Sequence, residues 1–176
     1  MADSLAFPDG SVYRFLERPA DPSAGPLVME FELQPDCTAP PAHFHPGGQS
    51  EVFECVEGSF ELLVGREWQR LDAGQSVTVE SGTRHTFRNK SGAVARVRNV
   101  HSPAHSFEAY LRRLHAIVSE AGLGAERSPA AMAKFALLWR EHADTIVASD
   151  PPLRVGLPVV AGAARLLRLR LPPPTP

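Results

Sequence analysis

The chain reads as a mainly β protein, a sandwich or small barrel, with helices following it. Three observations carry that reading. Residues 11 to 103 divide into short, evenly spaced apolar segments broken by Gly, Pro, Asp and Ser. Within them the hydrophobic period is two: Leu27, Met29, Phe31 and Leu33 alternate with Val28, Glu30, Glu32 and Gln34. Beyond Pro103 the period becomes helical. Many short strands without intervening helices fit an antiparallel sandwich or barrel better than a parallel sheet.

After Leu27–Leu33, a Pro-rich turn at Ala39-Pro40-Pro41 leads into a strand carrying His43 and His45. The segments Glu51–Glu57 and Ser59–Val64 follow, then a turn near Gly65-Arg66-Glu67 and the segment Trp68–Leu71. Ser76–Val79, His85–Arg88 and Ala93–His101 complete the β region. Phe107, Tyr110, Leu111, Leu114, Ile117 and Val118 then fall at helical spacing, with Ser106 as the expected N-cap and Gly122 as the end. Ser128-Pro129 opens a second helix with Met132, Phe135, Leu138, Trp139, His142 and Ile146 on one side; Pro151-Pro152 is expected to stop it. Leu157–Leu169 is expected to form a third. The expected division is a barrel over 1–103, a helical extension over 104–170 and a disordered tail over 171–176.

Composition narrows the function. With 176 residues there is room for one real core, and a net charge of −2 gives no sign of a nucleic-acid partner. The positive charge is almost all Arg, Lys90 and Lys134 being the only lysines. No apolar run approaches the roughly 18 residues of a bilayer span, and the first ten residues lack the features of an export signal. A cytoplasmic protein with reduced Cys37 and Cys55 and no membrane partner is therefore expected. A helix-turn-helix is a poor reading of the helices: the linker Ala121–Arg127 is long and the second helix is not basic. A lid or flank on the barrel, or half of a homodimer contact, fits better.

The chemistry lies in His43, His45, Glu51 and His85. Residues two apart on a strand point the same way, so His43 and His45 face one interior. Glu51 begins the next segment, and His85 sits in another strand just after a Gly82 turn. Three imidazoles and a carboxylate suit one divalent transition metal such as Fe, Mn, Ni, Co or Zn, and suit Ca poorly. An isolated His-x-His is weak; the combination is strong.

The pattern resembles the cupins. Their first motif pairs His-x-His with a Glu and, after six intervening residues, a Gly; His43, His45, Glu51 and Gly58 match it. Their second is matched in every spacing by Gly74, Gly82, His85 and Asn89. The fifteen residues between Gly58 and Gly74 suit the shortest, microbial form. Resemblance covers about residues 25 to 103 and implies a double-stranded β-helix, or jelly roll. There are two departures. Glu80 stands where Pro is usual, and five residues separate His45 from Glu51 where three or four are usual. Either the Gly47-Gly48 loop absorbs the extra residue, or Gln49 takes the ligand position; the spacing to Gly58 favours Glu51.

Four protein ligands on a six-coordinate ion leave about two adjacent positions for exogenous groups. By parity the wall around the ion includes Leu27, Met29, Phe31, Phe53, Cys55 and Phe87, an apolar and partly aromatic lining suited to a small organic ligand. Cys55 also reads simply as a small buried hydrophobe. Glu30, Glu32, Glu54, Arg96 and Arg98 fall on the outer parity. His101 and His105 read either as surface histidines or as groups overhanging the mouth, and His142 as a packed one. The expected activity is that of a metal-dependent enzyme on an aromatic or enolic molecule, a dioxygenase-type oxidoreductase first and an isomerase or cyclase second. Resemblance to flavonol-cleaving cupins implies a proton-accepting role for Glu51. A non-catalytic ligand-binding module is the alternative.

Overall fold

The computed structural model describes residues 3–37, 40–122 and 128–175. Ala39 of the expected turn and residues 123–127 of the expected linker lie outside them. The β region supplies β1 (Ser4–Ala6), β2 (Val12–Glu17), β3 (Leu27–Leu33), β4 (His43–Phe44), β5 (Ser50–Glu57) and β6 (Ser59–Val64). It continues with β7 (Glu67–Asp72), β8 (Ser76–Val79), β9 (His85–Arg88) and β10 (Ala95–Ser102). Helices α1 (Phe107–Ala121) and α2 (Pro129–Glu141), a short β11 (Val147–Ala148) and α3 (Pro151–Leu166) follow.

The strands form two antiparallel sheets, ordered β1-β2-β3-β10-β5-β8 and β11-β4-β9-β6-β7. Several neighbours, such as β3 and β10 or β4 and β9, are far apart in the chain, because the strands cross between sheets as in a jelly roll. Register puts side chains in rows across the first sheet. Leu27, His101, Glu51 and Val79 pair in one row, Met29, Asn99, Phe53 and Val77 in the next. In the second sheet His43 pairs directly with His85.

The inner faces form the core, with Phe53, Phe60, Leu62 and Leu71 almost wholly buried. Each such side chain contributes about 1.5–3 kcal/mol of burial free energy. Glu30 faces outward and meets Arg14 and Arg96, as the parity required.

The helical region departs from expectation in four places. Ser106 precedes α1, but its hydroxyl makes no cap bond; it donates to Asp144 Oδ1 at 2.6 Å and takes His142 Nδ1 at 2.8 Å. The second helix stops at Glu141, and Ile146 is buried from the turn beyond it. Pro151-Pro152 begins α3 instead of ending α2, since proline costs nothing in a first turn whose N–H groups lack helical partners. Residues 171–175, expected as a tail, return to α1, where Arg112 Nη1 donates to the Thr175 carbonyl at 3.2 Å. Ser128 does cap α2, accepting from the Ala131 N–H at 3.3 Å. Among the described residues no helix is long and apolar enough to cross a membrane.

Candidate metal centre

β4, the residue just past its end, β5 and β9 bring His43, His45, Glu51 and His85 together, all four buried; the strand expected to carry both histidines ends at Phe44. One ligand atom from each lies within 4.8 Å of all the others. That spread suits a shared coordination sphere with bonds of about 2.1 Å.

Each imidazole is oriented by a backbone carbonyl. His43 Nδ1 bonds to Pro41 O at 2.8 Å, His85 Nδ1 to Thr83 O at 2.8 Å, and His45 Nδ1 to Thr145 O. A carbonyl only accepts, so each Nδ1 holds the proton and each Nε2 is left as the ligating nitrogen. Glu51 Oε2 lies 2.7 Å from His85 Nε2 and 3.1 Å from His45 Nε2. Ring nitrogens and a carboxylate oxygen this close require a cation among them, a metal ion or a proton. His85 Nε2 is buried with no hydrogen-bond partner of good geometry, as a ligand nitrogen would be. The residues therefore fit a divalent transition metal, held by three nitrogens and one oxygen.

The electrostatics of the protein alone agree. Burial pushes the Glu51 carboxyl up, but the His101 and His85 rings outweigh it and hold it well below the usual carboxylate range. Burial lowers His85, yet the Glu51 carboxylate prevails and raises it above the usual value. Burial, then His85 and His45, push His43 well down.

Gln49 is not among the ligands. Its amide nitrogen donates to Pro103 O at 2.8 Å and Ala104 O at 3.0 Å, and its oxygen accepts from Thr145 Oγ1 at 2.7 Å. The longer Gly47-Gly48 loop is absorbed by left-handed backbone, with φ of 68° and 80°.

The six residues expected to line the wall are all buried on the inner face but lie at different depths. Phe53 is beside the site, its ring 6.2 Å from that of His85. Phe87 and Phe31 lie further along, and Phe31 stacks on Tyr13 at 4.1 Å. Met29 pairs across to Asn99. Cys55, four residues beyond Glu51, directs its thiol to Gly58 O at 3.5 Å. Parity selects a face; distance along the strand, at about 3.3 Å per residue, sets how far each lies from the ion.

Three neighbours were not legible as such. His101, read as a surface or mouth residue, is 0% exposed, its Nε2 3.1 Å from Glu51 Oε1. Its parity with Asn99 on β10 was the available signal. Asn99 Nδ2 donates to the same oxygen at 2.8 Å. Thr145 arrives from the C-terminal region, which no barrel motif covers. His105 stays outside the cluster. The extension closes the site: the Phe107 ring lies 5.6 Å from His45 and the Trp139 ring 6.3 Å from His43. Beyond Trp139, between α2, α3 and β11, is an apolar cavity of about 200 Å³ bordered by Ala136, Ile146, Leu153 and Leu157.

Residues 29–101 match the Cupin_2 family, described as a cupin domain. Over 78 residues the chain is 33% identical to the HTH-type transcriptional regulator PuuR of Escherichia coli (strain K12). That match takes in 44% of this chain and 41% of the regulator, so it spans less than half of the relative. An RmlC-like cupin from Shewanella frigidimarina superposes with a TM-score of 0.49 at 18% identity, over 61% of this chain and 88% of that one. The polyketide cyclase RemF from Streptomyces resistomycificus gives a TM-score of 0.47 at 22% identity, over 58% and 74%.

Proposed function

Residues 29–101 are a cupin domain with a complete three-histidine, one-carboxylate set, and on that premise we propose a metal-dependent enzyme for a small aromatic or enolic molecule. The preferred activity is dioxygenase-type oxidation, followed by isomerisation or cyclisation. The observation that carries this is the arrangement of the ligands: three Nδ1–H groups are tied to backbone carbonyls, leaving the Nε2 atoms for coordination, and one ligand atom from each of the four residues lies within 4.8 Å of the others. Orientation of that kind is set before metal arrives, which is what tight and geometry-selective binding needs.

When bound, Fe, Mn, Ni or Zn would supply Lewis acidity, and the first three redox chemistry as well. The chain's own residues do the rest. Glu51, held ionised, is the group able to accept a proton from a substrate hydroxyl. Phe53, Phe107 and Trp139 keep water from the site and favour an apolar substrate. Because the ligands are buried, substrate access requires the extension to move at Phe107 or Trp139.

Metal analysis tests this reading. Protein purified without chelators or a His-tag should carry near-stoichiometric Fe, Mn or Ni, lost in His43→Ala/His45→Ala. Oxygen uptake in a screen of aromatic and enolic compounds should then disappear in His85→Ala. A protein that takes up no metal on reconstitution would sink the proposal.

A second reading, a ligand-binding cupin module in which the ion only orients the ligand, is favoured by the match to a transcriptional regulator. Retained ligand affinity in His85→Ala, with no turnover in wild type, would select it. In either case we propose a cytoplasmic homodimer. Val155, Val159 and Leu166 share one outward face of α3 and are 71%, 69% and 87% exposed, an apolar stripe that pairing would cover. Light scattering on wild type and Val159→Glu decides it: a dimer that the charge dissociates is expected, and a monomeric wild type refutes it.

A further inference from the structure

The two oxygens of Glu51 have different surroundings. Oε2 faces His45 and His85. Oε1 faces β10, where Asn99 Nδ2 donates to it at 2.8 Å and His101 Nε2 lies at 3.1 Å. Asn99 thus makes the hydrogen bond to Oε1, while the His101 ring is packed against the same oxygen without a hydrogen bond of good geometry. Asn99 and His101 are both 0% exposed. Register enforces the arrangement, since His101 pairs with Glu51 across β5 and β10, and Asn99 with Phe53. On its other side the His101 imidazole is covered by Phe107, the first residue of α1, with centroids 3.6 Å apart and planes 24° apart.

We propose that Asn99 and His101 are positioning residues that clamp Oε1 of Glu51, leaving Oε2 for the ion, and that Phe107 locks the clamp from the helical extension. The inference rests on the metal-binding reading. A carboxylate on a strand can swing about its last torsion and offer one oxygen or two. The Asn99 N–H on Oε1, with the His101 ring packed 3.1 Å from the same oxygen, restricts that freedom, so β10 sets which carboxylate oxygen is offered to an ion. Through the Phe107 ring the extension becomes part of the metal centre: it braces Glu51 by way of His101, as Thr145 braces His45 directly.

The test is Co(II) titration of the full chain by calorimetry, together with the visible absorption of the Co(II) protein, whose band intensity follows coordination number. His101→Leu and Asn99→Leu should each weaken Co(II) binding about 10- to 100-fold, the usual effect of removing an outer partner of a metal ligand. Their spectra should change as Oε1 is freed. His101→Gln, which keeps a polar side chain beside Oε1, should recover most of the affinity and the wild-type spectrum. Wild-type affinity and spectrum in both Leu variants would overturn the clamp. Should the Leu variants fail to fold by circular dichroism, Phe107→Leu carries the test: weaker Co(II) binding supports the clamp, and unchanged binding with an unchanged spectrum overturns it. A wild type that binds no Co(II) overturns the metal reading itself; a wild type that binds it alongside indifferent variants overturns only the clamp.

Discussion

Thr145 Oγ1 donates a hydrogen bond to Gln49 Oε1 at 2.7 Å, joining residues 96 positions apart. The same Gln49 amide reaches the carbonyls of Pro103 and Ala104, and the carbonyl of Thr145 receives His45 Nδ1. One buried side chain in the β4–β5 loop thus ties together the end of β10, the turn after α2 and, through Thr145, His45 of the candidate site. The extension is fastened to the site, not merely laid against the barrel.

Gln49 and Glu51 should therefore separate by phenotype. Gln49→Leu strands the Thr145 hydroxyl and two carbonyls, and each buried polar group left without a partner costs about 1–3 kcal/mol. Its urea midpoint should fall clearly while metal stoichiometry, measured in excess metal, is kept. Glu51→Gln should lose metal binding instead. A Gln49→Leu protein of wild-type stability would contradict the tie.

The metal-free protein should have its greatest stability near pH 6.5. Below the usual histidine value of 6.5, unfolded chains bind protons that His101 refuses, because burial holds it down at about 4. Stability from His101 is thus present above 6.5 and lost as pH falls toward 4, and His43, lowered in the same sense, adds to the loss. His85 acts oppositely: its raised value contributes stability below 6.5 that disappears as pH climbs through it. Urea midpoints in the presence of chelator across pH 4 to 9 would show this; a midpoint that rises toward pH 4 would refute it.

Metal should stabilise the fold by mass action. At free metal one hundred times the dissociation constant, the gain is about 2.7 kcal/mol. Thermal unfolding with and without Co(II) should show the shift in wild type and none in His43→Ala/His45→Ala. An equal shift in both proteins would place the ion elsewhere.

Gly58→Ala should be costly although it lies away from the ligands. Gly58 has φ of 75°, and an added Cβ would sit 2.7 Å from the carbonyl oxygen of Val94, which is backbone and cannot yield. A left-handed residue with such a contact costs on the order of 1–3 kcal/mol. A wild-type urea midpoint would contradict this account.

The sequence by itself determined the barrel and the group of three histidines and a glutamate that could hold a metal. Period-two alternation in Leu27–Leu33 specifies a strand and its inner face, because a strand turns successive side chains to opposite sides whatever surrounds it. The His43, His45, Glu51 and His85 spacings reach through short strands and glycine corners, so local geometry sufficed to place them. Tertiary structure decided what depends on neighbours from elsewhere in the chain. It brought Glu51 into the histidine cluster and turned Gln49 away, whose amide is taken up by backbone of residues 103–104 and by Thr145. It turned Pro151-Pro152 into the start of a helix, and it buried His101 between Glu51 and the ring of Phe107. No period or spacing encodes these contacts, because each joins segments whose meeting is fixed only by the fold of the whole chain.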